Sequence, residues 1–316
     1  MSQYTLIEQL KSNHQICYQV LIYSDPSFLS HNNAFEQHHF YWVDESLDKA
    51  CAHIAFSVEN GIAFSPNKLP FGGLEVSSEL TKDDIGDFLK AIEERCKELT
   101  IKELRIHQAA FAYTDQTESS AALKTEGYVT TQNRIFHSIQ VDEVQLFDKM
   151  HRMEQRKLKK AQAAGAEFRV FKKNEQVDAF QQLVQFRKMA GKPASMSADD
   201  LEKASHENPN VYSVFGLFIE EHMVAGTVAV RVNKESLYHF MPAQMTSFAD
   251  HQPYKQYSPM VMLVDCMYQW CQKEGIKLLD LGTSYVDDKL KDSLVRFKEN
   301  IGGKACSALS WQKTLS

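Results

Sequence analysis

One passage of this chain occurs twice. Cys96-Lys-Glu-Leu-Thr-Ile-Lys-Glu-Leu-Arg-Ile-His107 returns as Cys271-Gln-Lys-Glu-Gly-Ile-Lys-Leu-Leu-Asp-Leu-Gly282. A single offset relates Cys96 to Cys271 and Ile101 to Ile276. The same offset carries Gly127, which follows the first copy, onto Gly302, which follows the second. Register kept across a helix, a strand and a second helix marks duplication of a whole folding unit. The chain therefore reads as two tandem domains of one fold, and what one copy has and the other lacks points to function.

The 316 residues are enough for two domains with cores of ordinary size. The hydrophobic and charged fractions, 43% and 24%, are those of a globular protein. A net charge of −6 argues against a general nucleic-acid binder, whose affinity comes from neutralising phosphates. The first residues carry no basic region followed by an apolar run, and no segment approaches the ~20 apolar residues of a membrane span, so a cytoplasmic location is expected. Cys17, Cys51, Cys96, Cys266, Cys271 and Cys306 lack CxxC spacing and read as reduced, mostly buried thiols.

The first domain, 1–143, is expected to open with an alternating strand from Gln15 to Tyr23 and a polar loop. Ala50 to Val58 and Gly61 to Phe64 form a hairpin around Glu59-Asn60-Gly61, because Asn-Gly between apolar runs favours the tight hairpin turn. Thr81 with Asp84 resembles a capping box ahead of Ile85, Phe88, Leu89, Ile92 and Cys96 at helical spacing. A strand to His107, a helix over 118–126 and a strand over 128–141 complete it. The second domain, 144–316, starts with a basic helix from Arg152 that ends at Gly165. A strand and two helices precede a hairpin of Val211 to Ile219 with Met223 to Val232, then a strand from Leu237 to Met241. The helix Met260 to Gln272 is apolar on nearly every face and belongs in a core. The order predicts a mixed α/β layer with crossovers between neighbouring strands.

The stretch Lys277-Leu-Leu-Asp-Leu-Gly-Thr283, followed by Leu294-Val-Arg-Phe297-Lys298-Glu-Asn-Ile-Gly302-Gly303, resembles the closing motif of the Fem-type aminoacyl and peptidyl transferases. The helix Gln155-Arg156-Lys157-Leu158-Lys159-Lys160-Ala161 running into Gly165 is similar to the start of their second domain. The resemblance covers the second half of the chain. It implies two tandem domains of the GNAT acyltransferase fold, and it implies that Lys298, the lysine of the Phe297-Lys298 pair, offsets negative charge at the transfer centre. One preorganised donor aimed at a tetrahedral oxyanion is worth ~10² to 10³ in rate. The repeat places Leu123 where Lys298 stands, so a single centre belongs to the second domain.

The loop Pro253-Tyr-Lys-Gln-Tyr-Ser-Pro259 stands where a GNAT enzyme carries its pyrophosphate loop. Lys255, Tyr257 and Ser258 are the candidates for holding a coenzyme, although the loop has none of the usual glycines. Ser258 also reads as a helix cap with Pro259 at the first helical position. Phe71-Gly72-Gly73 can cradle an anion, though a bulge or tight turn fits a double glycine better. His239, Asp280 and Tyr285 are candidates for acid or base work, with no spacing to choose between them. Arg156, Tyr238 and Tyr254 are the candidate contacts to substrate. His38 and His39, adjacent on a strand, point to opposite faces and cannot share a metal. HExxH, GxSxG, P-loop and dinucleotide motifs are absent from the sequence.

The expectation is an N-acyltransferase that moves an acyl or aminoacyl group onto an amine-bearing small molecule or peptide, with the acceptor held between the domains. The donor stays open between acetyl- or acyl-CoA and an aminoacyl-tRNA. The helical hairpin that tRNA-using Fem-type enzymes add to their second domain is missing here. Two alternatives are an acyl-CoA-dependent N-acetyltransferase of the same fold and a non-catalytic module that binds a peptide or small ligand.

Overall fold

A computed structural model describes residues 3–32, 35–245, 258–286 and 288–315. The chain forms two units, residues 1–135 with 306–316, and residues 136–305.

In the first unit β1 (Tyr4–Ile7) and β2 (Gln15–Ile16) precede α1 (Pro26–Asn32), then β3 (Glu36–Asp44), β4 (Lys49–Glu59), β5 (Ile62–Ser65) and β6 (Glu75–Val76). Next come α2 (Lys82–Glu98), β7 (Glu103–His107), α3 (Thr117–Thr125) and β8 (Val129–Gln140). The expected hairpin forms between β4 and β5, with Asn60 and Gly61 at φ 53° and 75°, the left-handed pair that a tight hairpin turn requires. The Thr81–Asp84 capping box is complete in both directions. Below α2, Ile85, Phe88, Leu89, Ile92 and Cys96 pack on Trp42, Ile54 and Phe56.

Two expectations here are corrected. Only Gln15–Ile16 of the 15–23 segment is a strand, because the Leu21 N–H is taken by the Glu75 carboxylate instead of a neighbouring strand. The following polar segment contains α1, started by Asp25, whose Oδ1 accepts from Phe28 N at 3.1 Å, with Pro26 at the first helical position.

The second unit takes the end of β8, then α4 (Leu146–Lys149), α5 (Arg152–Ala163), β9 (Glu167–Val170), α6 (Gln176–Met189), α7 (Ala198–Glu207), β10 (Tyr212–Ile219), β11 (His222–Asn233) and β12 (Ser236–Gln244). After these come α8 (Pro259–Lys273), β13 (Leu278–Thr283), the short hairpin β14 (Tyr285–Val286) and β15 (Lys289–Leu290), and α9 (Asp292–Asn300). Its strands lie in the order β8-β13-β12-β11-β10-β9, with β12 and β13 parallel. Helix α8 is buried on most sides, and Val261, Val264, Met267, Tyr268 and Cys271 share one core with Leu158 and Ala161 of α5. Tyr268 reaches out of that core to accept from Lys149 Nζ at 2.9 Å and donate to Val144 O at 2.9 Å.

The last strand, β16 (Lys304–Thr314), pairs antiparallel with β7 from Ser310↔His107 to Thr314↔Glu103. Residues 306–316 therefore group with the first unit, whereas the sequence division at 143/144 assigned the whole C-terminus to the second. Main-chain pairing with so distant a strand leaves no local signature in the sequence. All six thiols are free, four of them buried. Among the described residues no helix is long and apolar enough to cross a membrane.

Candidate functional site

The parallel pairing of β12 with β13 runs from Ser236↔Leu278 to Tyr238↔Asp280, after which β12 continues to Gln244 and β13 to Thr283. At that point the backbone turns through Gly282, at φ 71°. Asp280, fully buried, accepts the Gly282 N–H on Oδ1 at 2.6 Å. A side chain on Gly282 would meet the Tyr238 ring at 3.0 Å, so glycine lets ring and strand end approach.

Lys298 projects into this turn from α9. Its neighbours Arg296 and Glu299 are exposed, but Lys298 is buried, and its Nζ donates to Gly282 O at 2.8 Å and to Thr283 O at 2.6 Å. An ammonium has three donors, so one N–H remains for a further partner. The Lys298 carbonyl is in turn held by Gly303 N at 2.8 Å, and a Cβ on Gly303 would lie 2.6 Å from that carbonyl. The double glycine of the closing motif thus lets the chain pass close under α9.

Burial pushes the Lys298 ammonium down to about 8, and the nearby Asp280 charge opposes that shift. Burial and the Lys298 charge together hold His239 neutral, at about 3. The same two causes lower His137, on β8. Burial first, and then Asp280, raises Tyr238 well above the usual phenol range. The Nε2 atoms of His239 and His137 are buried without a hydrogen-bond partner. His137 Nδ1 lies 3.5 Å from Ser284 Oγ. One cation, one carboxylate and two neutral imidazoles thus surround the end of β13, an arrangement suited to a ligand with a polarised carbonyl. His137 was not among the sequence candidates. It enters through the antiparallel register Asp280↔Ser138 and Thr283↔Phe136, which only the pairing of β8 with β13 supplies.

The remaining candidates are dispersed. Phe297 packs its ring against the core of the second unit and serves to seat α9. Tyr285, half-buried, begins the β14–β15 hairpin, and its N–H meets Thr283 Oγ1 at 3.3 Å. Arg156 is exposed on α5, where Lys157 pairs with Glu154 and Lys159 lies over the Phe147 ring. Tyr254, Lys255 and Tyr257 lie outside the described residues. Pro259 does occupy the first helical position of α8, but the cap expected of Ser258 is corrected. Its backbone is left-handed, at φ 47°, and its side chain makes no capping bond. The left-handed backbone departs from the extended conformation typical of a capping residue.

The first unit shows the same positions with other residues. Phe64↔Arg105 occupies the pairing that Tyr238↔Asp280 has in the second, and Leu123 lies fully buried in the core. The space after the parallel pair is filled. Gly72 bridges to Gln108, and the successive amides of Gly72, Gly73 and Leu74 bond His107 O at 2.9 Å, Ser65 Oγ at 3.2 Å and Gln108 Oε1 at 2.5 Å. Of the two readings of Phe71-Gly72-Gly73, the favoured bulge or tight turn fits and the anion cradle does not, since the amides of Gly72, Gly73 and Leu74 already have internal acceptors.

The parallel pair β5 with β7 in the first unit corresponds to β12 with β13 in the second, and only the second pair parts before its strands end. No family model and no curated protein matches the sequence. Solved structures do. FemX aligns with a TM-score of 0.69 over 94% of this chain and 92% of its own, at 12% identity. The chain has the FemX-like tandem GNAT fold. L-PGS from Bacillus licheniformis aligns at 0.57, with 91% of each chain covered and 13% identity. A tandem GNAT protein from the clavulanic acid biosynthesis pathway, solved without AcCoA, aligns at 0.52, covering 90% of this chain and 84% of that one at 10% identity. At these identities the likeness to FemX is one of fold, and the chemistry has to be read from the site.

Proposed function

We propose that this protein is an N-acyltransferase that moves an acyl or aminoacyl group onto an amine, with the transfer centre in the second unit. The observation that carries this reading is Lys298, a buried ammonium anchored by two carbonyls at the parting of parallel strands, with one donor left over. When an amine attacks an activated carbonyl, negative charge develops on the carbonyl oxygen, and a preorganised donor in a dry site stabilises it. His239 and His137 offer hydrogen bonds to the reacting groups. Held neutral and of low basicity, they make weak proton acceptors, so the acceptor amine enters as its free base. As its bond to the carbonyl carbon forms, the bond from that carbon to the coenzyme A sulfur or the tRNA ribose oxygen breaks, and the amine's surplus proton leaves with that sulfur or oxygen.

The fold shared with FemX, L-PGS and the clavulanic acid protein supports group transfer as the class of reaction. The fold shared with a tandem GNAT protein keeps acyl-CoA among the donors to be tested beside an aminoacyl-tRNA. The test is a thermal-shift titration with coenzyme A and acetyl-CoA, followed by transfer assays with acetyl-CoA or a charged tRNA and a panel of primary amines. A ligand at 100 times its Kd stabilises the native state by ~2.7 kcal/mol. A saturable shift directs the assay to acyl-CoA. Its absence at millimolar ligand directs it to charged tRNA. Transfer that is unchanged in a folded Lys298→Met variant overturns the reading.

A further inference from the structure

The first unit contains a chain of titratable groups that the transfer centre does not use. His53 on β4 is the cross-strand partner of both Tyr41 on β3 and Glu75 on β6. Its Nδ1 lies 3.0 Å from Glu75 Oε2 and its Nε2 lies 3.2 Å from His39 Nδ1. Tyr41 and Tyr18 stack on its ring, at 4.6 and 5.9 Å between centroids and 18° and 17° between planes. His53 and Glu75 are buried and His39 is half-buried. Glu75 Oε1 accepts from Leu21 N at 2.7 Å, and the Ser24 hydroxyl also hydrogen-bonds this carboxyl. Glu75 further lines a small cavity with Gln19, Leu21, Thr114 and Gln116, with room for one water-sized group.

Each contact in the row Glu75–His53–His39 holds one proton, which fixes the bookkeeping. With Glu75 protonated, its O–H donates to His53 Nδ1, His53 Nε2–H donates to His39 Nδ1, and His39 carries its other proton on Nε2. With Glu75 ionised, His53 Nδ1–H donates to the carboxylate and His39 Nδ1–H donates to His53 Nε2. Passing between the two states moves a proton along both contacts and releases one from His39 Nε2 to water. Both imidazoles end neutral with their tautomers exchanged. Burial favours the first state when the cavity is empty, since it pushes Glu75 up to about 8 and His53 down to about 3. The other charged or titratable groups around the row are Asp25, whose charge favours protonated imidazoles, and Tyr18, Tyr41 and His38.

We infer that this cavity is a second binding site, for a small –NH₃⁺ group, whose entry ionises Glu75 and sends its proton out through His53 and His39. Leu21 N, Ser24 and His53 take three of the roughly four lone-pair sites of the carboxylate, and the one left can accept from an ammonium. The size of the cavity restricts the group to ammonium itself or the tip of a primary amine. This inference does not rest on the transferase reading.

Calorimetric titration of the full-length protein at pH 7 with ammonium chloride, methylamine and tetramethylammonium tests it. The titrations are run in two buffers of different ionisation heat. Ammonium is expected to saturate with release of close to one proton per cation, and tetramethylammonium, which has no N–H, is expected not to bind. Methylamine binding as ammonium does identifies the tip of a primary amine, and ammonium alone identifies the free ion. Nitrogen-15 spectra of the histidines should show His53 passing from its Nε2–H to its Nδ1–H tautomer as the cation saturates. Absence of saturable binding, binding without proton release, or a His53 tautomer that does not change overturns the proposal. So does unaltered binding in a folded Glu75→Gln variant. If that variant does not fold, the tautomer measurement on the unaltered protein decides.

Discussion

Lys298 Nζ stands 2.6 Å from Thr283 O, a contact that joins the second turn of α9 to the end of β13. With the companion bond to Gly282 O at 2.8 Å, it makes one side chain both a fastening for the strand end and the cation of the candidate site.

Lys298→Met should therefore act on stability and on turnover. Two carbonyls lose their donor, and an unsatisfied buried acceptor costs about 1–3 kcal/mol. Denaturant unfolding should report a loss of that order. Transfer by the folded fraction should fall by ~10² to 10³.

The pH dependence of Lys298 has a definite sign. Its folded value of about 8 lies below the ordinary 10.5, so between the two the unfolded chain binds more protons. The Lys298 contribution to stability therefore rises from about pH 8 to 10.5, while a rate that needs the ammonium declines above about pH 8. Unfolding curves of the protein and of Lys298→Met should diverge in that window. A parallel course would mean that Lys298 titrates normally.

Glu75 has the opposite sign. Its folded value of about 8 exceeds the ordinary 4.5, so its stabilising contribution is lost as pH rises between them. His53 and His39, lowered to about 3 and 4, reach the midpoint of their titration in the unfolded chain at the ordinary 6.5 and finish about one pH unit higher. From about pH 7.5 to 9, around its folded value of about 8, Glu75 alone of the three still titrates. Stability of the protein relative to Glu75→Gln is expected to fall across that interval in denaturant titrations.

Gly73→Ala tests the plug in the first unit. Gly73 has φ 88°, and an added Cβ would lie 1.6 Å from Gln108 Oε1. Left-handed strain and overpacking together should cost at least about 2 kcal/mol, read as a shift in the denaturation midpoint.

Two helix starts should respond oppositely. Thr81→Ala removes a complete capping box and should destabilise by about 1 kcal/mol. Ser258→Gly removes no capping bond and relieves a left-handed backbone, so thermal unfolding should move slightly upward.

Although β1, α1, β6, α4 and the β14–β15 hairpin are not legible in the sequence, the duplication, the mixed α/β class and most of the element order are. Those follow from local rules: apolar spacing at period two or 3.6, Asn60-Gly61 at a turn, Thr81 with Asp84 at a cap. Lys298 and Leu123 at equivalent positions were legible from the repeat, because the offset that relates Cys96 to Cys271 relates them too, without coordinates. Tertiary structure alone decided that β16 pairs with β7, that Gln108 fills the space after β5, and that His137 lies beside the end of β13. It also turned Glu75, an ordinary residue in a two-residue strand, into the buried end of a histidine row. Strand pairing brings together residues far apart in the chain, and a carboxyl's protonation depends on what surrounds it. Neither is written in the spacing of neighbours along the chain.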